Sequence, residues 1–509
     1  MTQRAIVALC SVTLVQAYLL VNVLPYSAYL VIHLCKNVTV EEAGPYAASL
    51  ATSFMLGRTI SAQFWGNLAD VYGRRLVLIL SLIGSGLASL WFGFASTYRS
   101  CLLARGMLGA VNSTVGVTKT LATELARKLS DDAEQLDASR SANTSSANSR
   151  SQDAVETRVV GLVVSMRAWG FLIAPACAGF LSDPLKTRED LLINAQVDTR
   201  TLVMYPYLLP NLFGFILCFS SAIAVYCEIA ETLPNPKPFG GCIVPRILCG
   251  GIRESSIASA SNKTYQSIET HSEATTQQPP TVASIWSRRD TRRNLIAYWM
   301  FSAIQIIIDE AFPLYCVATK NGLGGLSENQ IGRILSLSGF IFALLQFRAY
   351  TWMTNKFGLF GSLRLGCLVG IVPVSLTPAA SLFEAESGVN CYSIVYLSVL
   401  MGIIKVFQSA FFSSITVMAN RTVPVDMRST MNGIGGSGAG MSKAVAPVLV
   451  GLWMSRWLSA DPAGATFLNL PVGPWIAYAG IGALGLPMLH YVKSCELASA
   501  HGINLLVET

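Results

Sequence analysis

Long apolar runs alternate with short polar breaks along most of the chain. A helix that crosses a bilayer needs about 20 mostly apolar residues. Twelve runs reach that length, over about 5–32, 46–69, 76–96, 101–125, 159–181, 205–229, 295–317, 328–350, 362–382, 391–419, 431–458 and 471–492. The pattern predicts an all-α membrane protein with twelve transmembrane helices. The first run is too long for the core of a cleaved leader, so it reads as a span. Two polar stretches interrupt the series. Residues 128–157 are rich in Ser, Asn, Asp and Ala, and residues 231–293 carry Pro and Gly, then Ser, Thr and Gln. Both compositions predict disorder. The second stretch divides the runs six and six. The predicted layout is therefore a six-helix half over 1–230 with its insert at 128–157, a linker over 231–293, a second half over 294–493 and a tail over 494–509.

Composition narrows the class. Of 509 residues, 52% are apolar and only 13% charged, against about 25% charged in soluble domains. The net charge of +7 comes from basic residues beside the apolar runs, where anionic lipid and not nucleic acid is the natural partner. With the N-terminus in the cytoplasm, most Lys and Arg fall on the cytoplasmic side, including Arg74, Arg75, Arg127, Lys128, Arg288, Arg289 and Arg421. An even number of spans returns the C-terminus to the same side. This suits a plasma membrane or a vacuolar or other organelle membrane. Most of the twelve cysteines lie within apolar runs, while Cys35 and Cys391 fall in loops on the opposite side. The four histidines are far apart and make no metal-ligand pattern. Gly433 to Gly438 matches a dinucleotide fingerprint by letter, but it opens an apolar run with no strand before it. Close helix packing through small residues explains it. With no phosphate loop, nucleophile elbow or cofactor motif, the chain does not read as an enzyme.

One turn organises the first half. Gly66 to Arg75 reads Gly-Asn-Leu-Ala-Asp-Val-Tyr-Gly-Arg-Arg between two apolar runs. A tight hairpin needs glycine where the backbone bends, and Gly66 and Gly73 are placed for it. Asp70, Arg74 and Arg75 sit at the membrane edge, where charges pair with one another or with helix ends. The second half carries a worn copy, Met353-Thr-Asn-Lys-Phe-Gly358, with Asn355 in the place of the acid. Ala174-Pro175 to Gly179 and Ala446-Pro447 to Gly451 also repeat one pattern in corresponding spans. Repeated six-span halves are a transporter architecture.

Charges inside apolar runs need a partner or a wet cavity, so they are the functional candidates. They are Arg58, Arg105, Lys119, Glu124, Arg167, Asp309, Glu310, Lys405 and Lys443. Lys119 and Glu124 lie near the inner end of their run, placed to snorkel. Lys405 can pair with a carboxylate or face an anionic substrate group. Asp309 and Glu310 are adjacent, and neighbouring helix positions point about 100° apart, so only one of the two is expected in any central cavity. A carboxyl in a poorly hydrated site can exchange a proton near neutral pH, which makes that residue a proton or cation coupling candidate.

Gly66-x-Leu-Ala-Asp70-x-x-Gly73-Arg74-Arg75 resembles the signature loop between helices two and three of the major facilitator superfamily. Gly57 to Gly66, Leu108 to Thr120, Tyr205 to Asn211, Glu231 to Pro234, Asp309 to Leu314 and Leu326 to Gly332 extend the resemblance to the zinc-induced facilitator-like transporters of the drug:proton antiporter branch. The resemblance implies the major facilitator fold, with two six-helix halves around one site. It implies gating by Asp70, Arg74 and Arg75, and a proton-coupling role for Arg105. Gly170-x-x-x-Ala174-Pro175-x-x-Ala178-Gly179 resembles the antiporter motif of helix five, with two of its usual glycines replaced by alanine. The cysteine-containing segment that precedes helix one in plant members is absent, which weighs against a zinc-related substrate.

The expected function is secondary transport of a small organic solute by alternating access. It would be proton-coupled, as efflux or organellar sequestration, in a monomer whose partners are the solute, protons and lipid. The alternative is a nutrient sensor or receptor built on a transporter fold, signalling through its cytoplasmic loops.

Overall fold

The computed structural model describes residues 2–112, 115–138, 148–184, 199–233, 282–383, 390–423, 428–459, 466–467, 470–494 and 496. The first half of the chain gives α1 (Thr2–Val21), α2 (Ser27–Leu34), α3 (Ala43–Tyr72), α4 (Arg74–Gly93), α5 (Tyr98–Val111), α6 (Val115–Ala138), α7 (Asn148–Leu181), α8 (Thr199–Met204) and α9 (Leu208–Glu228). The second gives α10 (Val282–Ser287), α11 (Arg289–Val317), α12 (Glu328–Ser375), α13 (Cys391–Arg421), α14 (Arg428–Ser459) and α15 (Val472–Ala483), with a 3-10 turn over Thr377–Phe383. Strand pairing among the described residues is confined to Thr466–Phe467 with Leu470–Pro471. The described helices fall into two sets, one on either side of residues 234–281.

Local chemistry sets several boundaries. Thr97 starts α5 by accepting from the Ser100 amide. Ser327 and Gln330 form a reciprocal capping box at the start of α12. Gly73 separates α3 from α4 with φ of 105°, a conformation only glycine adopts without strain. Gly66 does not share the bend. It lies within α3, which stays helical to Tyr72, because one left-handed residue is enough to turn the chain. Gly358, at φ of 70°, makes the matching break in α12, so that element holds two of the expected spans. The repeat between the halves is thus visible in the backbone.

Eight helices among the described residues are long and apolar enough to cross a membrane, one of them the bent stretch from Glu328 to Phe383. The expected runs at 46–69, 101–125 and 431–458 are not among the eight. They correspond to α3, to α5 with α6, and to α14: α5 is only 14 residues long, while α3, α6 and α14 place polar side chains on a central cavity, which lowers their apolar content. Residues such as Ile60, Leu103, Phe219, Leu344 and Leu452 are largely exposed, as an outer face toward lipid requires. The first run, 5–32, is two helices broken at residues 22–26. Parts of both stretches expected to be disordered are helical: α6 continues to Ala138, α7 begins at Asn148, and α10 and the start of α11 fill 282–293. The remainder of those stretches, 139–147 and 234–281, lies outside the described residues, as does the tail from 497.

Between the halves, α3 packs on α14 and α7 on α12. Gly179 faces the Glu328 carbonyl and the Gly332 backbone, and any side chain at either glycine would push α7 and α12 apart. Gly44 and Gly451 allow the same close approach of α3 and α14.

Candidate binding cavity

A cavity of about 700 Å³ lies between the halves, lined by α1, α3, α5, α6, α7, α11, α13 and α14. That volume falls within the range of roughly 300–1,000 Å³ that suits a small-molecule site. One end of the molecule, the far end, is tied shut above the cavity. There the Ser455 hydroxyl donates to the Glu41 carbonyl at 2.6 Å, and the Thr319 hydroxyl donates to the Glu41 carboxylate at 2.7 Å. Tyr29 donates to the Leu326 carbonyl, again joining the halves. Burial raises the Glu41 pKa, but hydrogen bonds from Thr319 and backbone amides and the charge of Lys320 outweigh it, holding the carboxyl below its usual range. Toward the other end, which carries Gly73, the cavity lining reaches Leu295, Ala419 and Asn432, close to the termini of α11, α13 and α14.

The cavity wall holds most of the intramembrane charges. Asp309 of α11 accepts from Lys405 Nζ of α13 at 3.1 Å, with both side chains about one-tenth exposed. The same ammonium stands 5.1 Å from the Phe171 ring centroid on α7. Glu310 is buried and interacts electrostatically with Arg105. Asp309 and Glu310 therefore both face the cavity, contrary to the expectation that only one would. The cavity wraps around α11, so two positions about 100° apart reach its opposite margins: Asp309 toward α7 and α13, Glu310 toward α5.

Arg105 is 1% exposed. Its guanidinium donates to the Leu19 carbonyl at 3.1 Å and lies over the rings of Phe54 and Phe92. Stacking on two rings and bonding one carbonyl stabilises a cation in a poorly hydrated place. Lys443 donates to Gln305 at 3.2 Å and lies near the Phe412 ring. Arg58, Lys119 and Arg167 complete the cationic lining. Arg58 and Arg167 repel each other, and both act on Lys119 and Lys443. Lys119 lines the cavity and is exposed there.

The charges of the Gly73 turn pair with one another and with a helix end, as expected, and also with an acid of α6. Arg74 pairs with Glu124 of α6 at 2.6 Å, while its contact with Asp70 is 3.9 Å and Asp70 is 73% exposed. The Arg75 guanidinium donates to the Tyr226 carbonyl and lies 5.0 Å from that ring. Glu231 was not singled out as a functional residue. Its carboxylate accepts from the Arg74 and Arg75 amides at 3.0 and 3.1 Å, capping α4 with an anion at the positive end of the helix dipole. Only its place in the Glu231-Thr-Leu-Pro234 match hinted at it. On α7, Gly170 packs against Leu14 and Ala17 of α1, Pro175 sits inside the helix, and Gly179 meets α12. The motif is a pair of close helix crossings on either side of a proline. Cys35 and Cys391 are free thiols.

A profile described as Major Facilitator Superfamily matches residues 9–130. Protein ZINC INDUCED FACILITATOR 1 of Arabidopsis thaliana is 24% identical over 86% of this chain and 81% of its own length. The major facilitator superfamily multidrug transporter mfsB of Aspergillus fumigatus is 22% identical over 90% of this chain and 79% of its own length. In three dimensions the chain is similar to a D-xylose-proton symporter, with a TM-score of 0.61, 14% identity and coverage of 95% of this chain and 96% of that one.

Proposed function

We propose that this chain, a member of the major facilitator superfamily and so a membrane transporter, carries a small organic solute by proton-coupled alternating access. The observation that carries the reading is the Asp309–Lys405 pair in the wall of a cavity tied shut at one end. A proton taken up by Asp309 would cancel its charge, release Lys405 and break the tie between α11 and α13. An ion pair of this kind couples a proton to helix position because a lone buried charge is unfavourable. Arg105 with Glu310 forms the second coupling element.

The end carrying Arg74, Arg75, Arg288, Arg289 and Arg421 is then the cytoplasmic one, by the excess of basic residues. The described state opens inward and is shut outside. Both termini are then cytoplasmic, and the stretch 231–293 divides the chain into its two halves. Asp70, Arg74 and Arg75 act as a latch. In the inward-open state Arg74 is held by Glu124, and closure of the cytoplasmic end would bring the exposed Asp70 toward the second half. Transport out of the cytoplasm, across a plasma or vacuolar membrane, fits the drug-transporter relative.

The test is a solute screen on the full-length protein in liposomes with a trapped pH-reporting dye. A transported solute moves protons with it, and collapsing the pH gradient with an ionophore abolishes its accumulation. Accumulation that ignores the gradient would refute proton coupling.

A further inference from the structure

The cavity lining carries five cations, Arg58, Arg105, Lys119, Arg167 and Lys443, against two carboxylates, Asp309 and Glu310. Asp309 pairs with Lys405 and also acts on Arg167 and Lys443, and Glu310 interacts with Arg105, so two acids are shared among a larger number of cations. The four cations other than Arg105 come from four helices, α3, α6, α7 and α14, and meet around one part of the cavity, acting on one another. Like charges gathered around one cavity raise the local positive potential, which favours entry of a solute of opposite charge. A cationic solute would meet net repulsion. Phe171 and Tyr298 line the same cavity and give it an apolar side next to the charges.

We propose that the cavity selects an organic anion, whose carboxylate or phosphate is held by Arg58, Lys119, Arg167 and Lys443 and whose apolar body rests on Phe171 and Tyr298. Guanidinium forks suit such oxyanions, with two parallel hydrogen bonds each. The anion would bridge α3, α6 and α7 of one half to α14 of the other. Its binding would then bear on how the halves move. This rests on the cavity being the transport site.

The experiment uses the full-length protein in liposomes under an imposed pH gradient, with two dyes that share a ring system and differ in charge. They are 6-carboxyfluorescein, an anion, and rhodamine 123, a cation. Wild-type protein is expected to carry carboxyfluorescein and not rhodamine 123. The double variant R58Q/R167Q should lower that flux about tenfold or more, while R167K, which keeps the charge, stays within roughly threefold. Monodisperse elution of each variant excludes misfolding as the cause. If rhodamine 123 is carried in a gradient-dependent way and carboxyfluorescein is not, the transporter reading stands and the anion proposal falls. Carboxyfluorescein flux that R58Q/R167Q leaves unchanged also overturns it. If carboxyfluorescein neither moves nor raises the melting temperature, the proposal is wrong, while the solute screen judges transport separately.

Discussion

At Asp309 and Lys405, two charges are held together with little water around them. Removing one partner of a buried pair strands the other, at a cost of about 3–5 kcal/mol. K405M is therefore expected to lower the melting temperature of the purified protein, and D309N/K405M to recover part of the loss. Transport driven by a pH gradient should stay absent in both. A double variant that transports with normal pH dependence would remove the pair from the coupling mechanism. The charges themselves were legible in the sequence, because Asp, Glu, Lys and Arg stand out in apolar runs. Their partners were not. That Asp309 meets Lys405 and Arg74 meets Glu124 depends on helix rotation, which all-apolar stretches leave undetermined. That Lys119 lines the cavity was hidden for the same reason, since distance from a helix end says nothing about which face a side chain occupies.

Among the helices, the least apolar ones are the most informative. The runs at α3, α5, α6 and α14 were expected as spans from the sequence, and their polar content comes from residues on the cavity: Arg58, Arg105, Lys119, Ser437 and Lys443. The hairpin at Gly73 was readable from one glycine followed by two arginines. The cap that completes it was not, since Glu231 lies more than 150 residues further along the chain. E231Q keeps the shape but removes the anion that α4 lacks within its own first turn. It is expected to lower stability by about 0.5–2 kcal/mol, the scale of an N-terminal cap, seen as an earlier thermal transition with expression retained. At the α7–α12 crossing, a Cβ on Gly179 would lie 2.6 Å from the Glu328 carbonyl oxygen. G179A should therefore destabilise by roughly 1–3 kcal/mol, as overpacking does. An unchanged transition in G179A would mean that the two helices can separate there freely.

The whole molecule is a pair of helical sets tied at one end and parted by a charged cavity toward the other. Its division into repeated halves was visible in the sequence, through Gly73 with Gly358 and Pro175 with Pro447. The state it occupies was not, because the far-end ties join Glu41 to Thr319 and Ser455, residues hundreds of positions apart. Glu41 makes that closure sensitive to acid. Its carboxyl is held below the usual range, so its contribution is complete above the ordinary glutamate pKa of about 4.3 and is lost as pH falls through the lower folded value. Distances across the far end should lengthen below about pH 4, and E41Q should remove that part of the response. The central claim is alternation of access, and spin labels read it directly. One pair, at Asn37 and Lys320, spans the far end; the other, at Val71 and Lys356, spans the Gly73 end. In lipid, a transported solute or a shift in pH should populate a longer distance at the first pair and a shorter one at the second, in the same samples. A single unchanging distance at both ends under every condition would contradict the account.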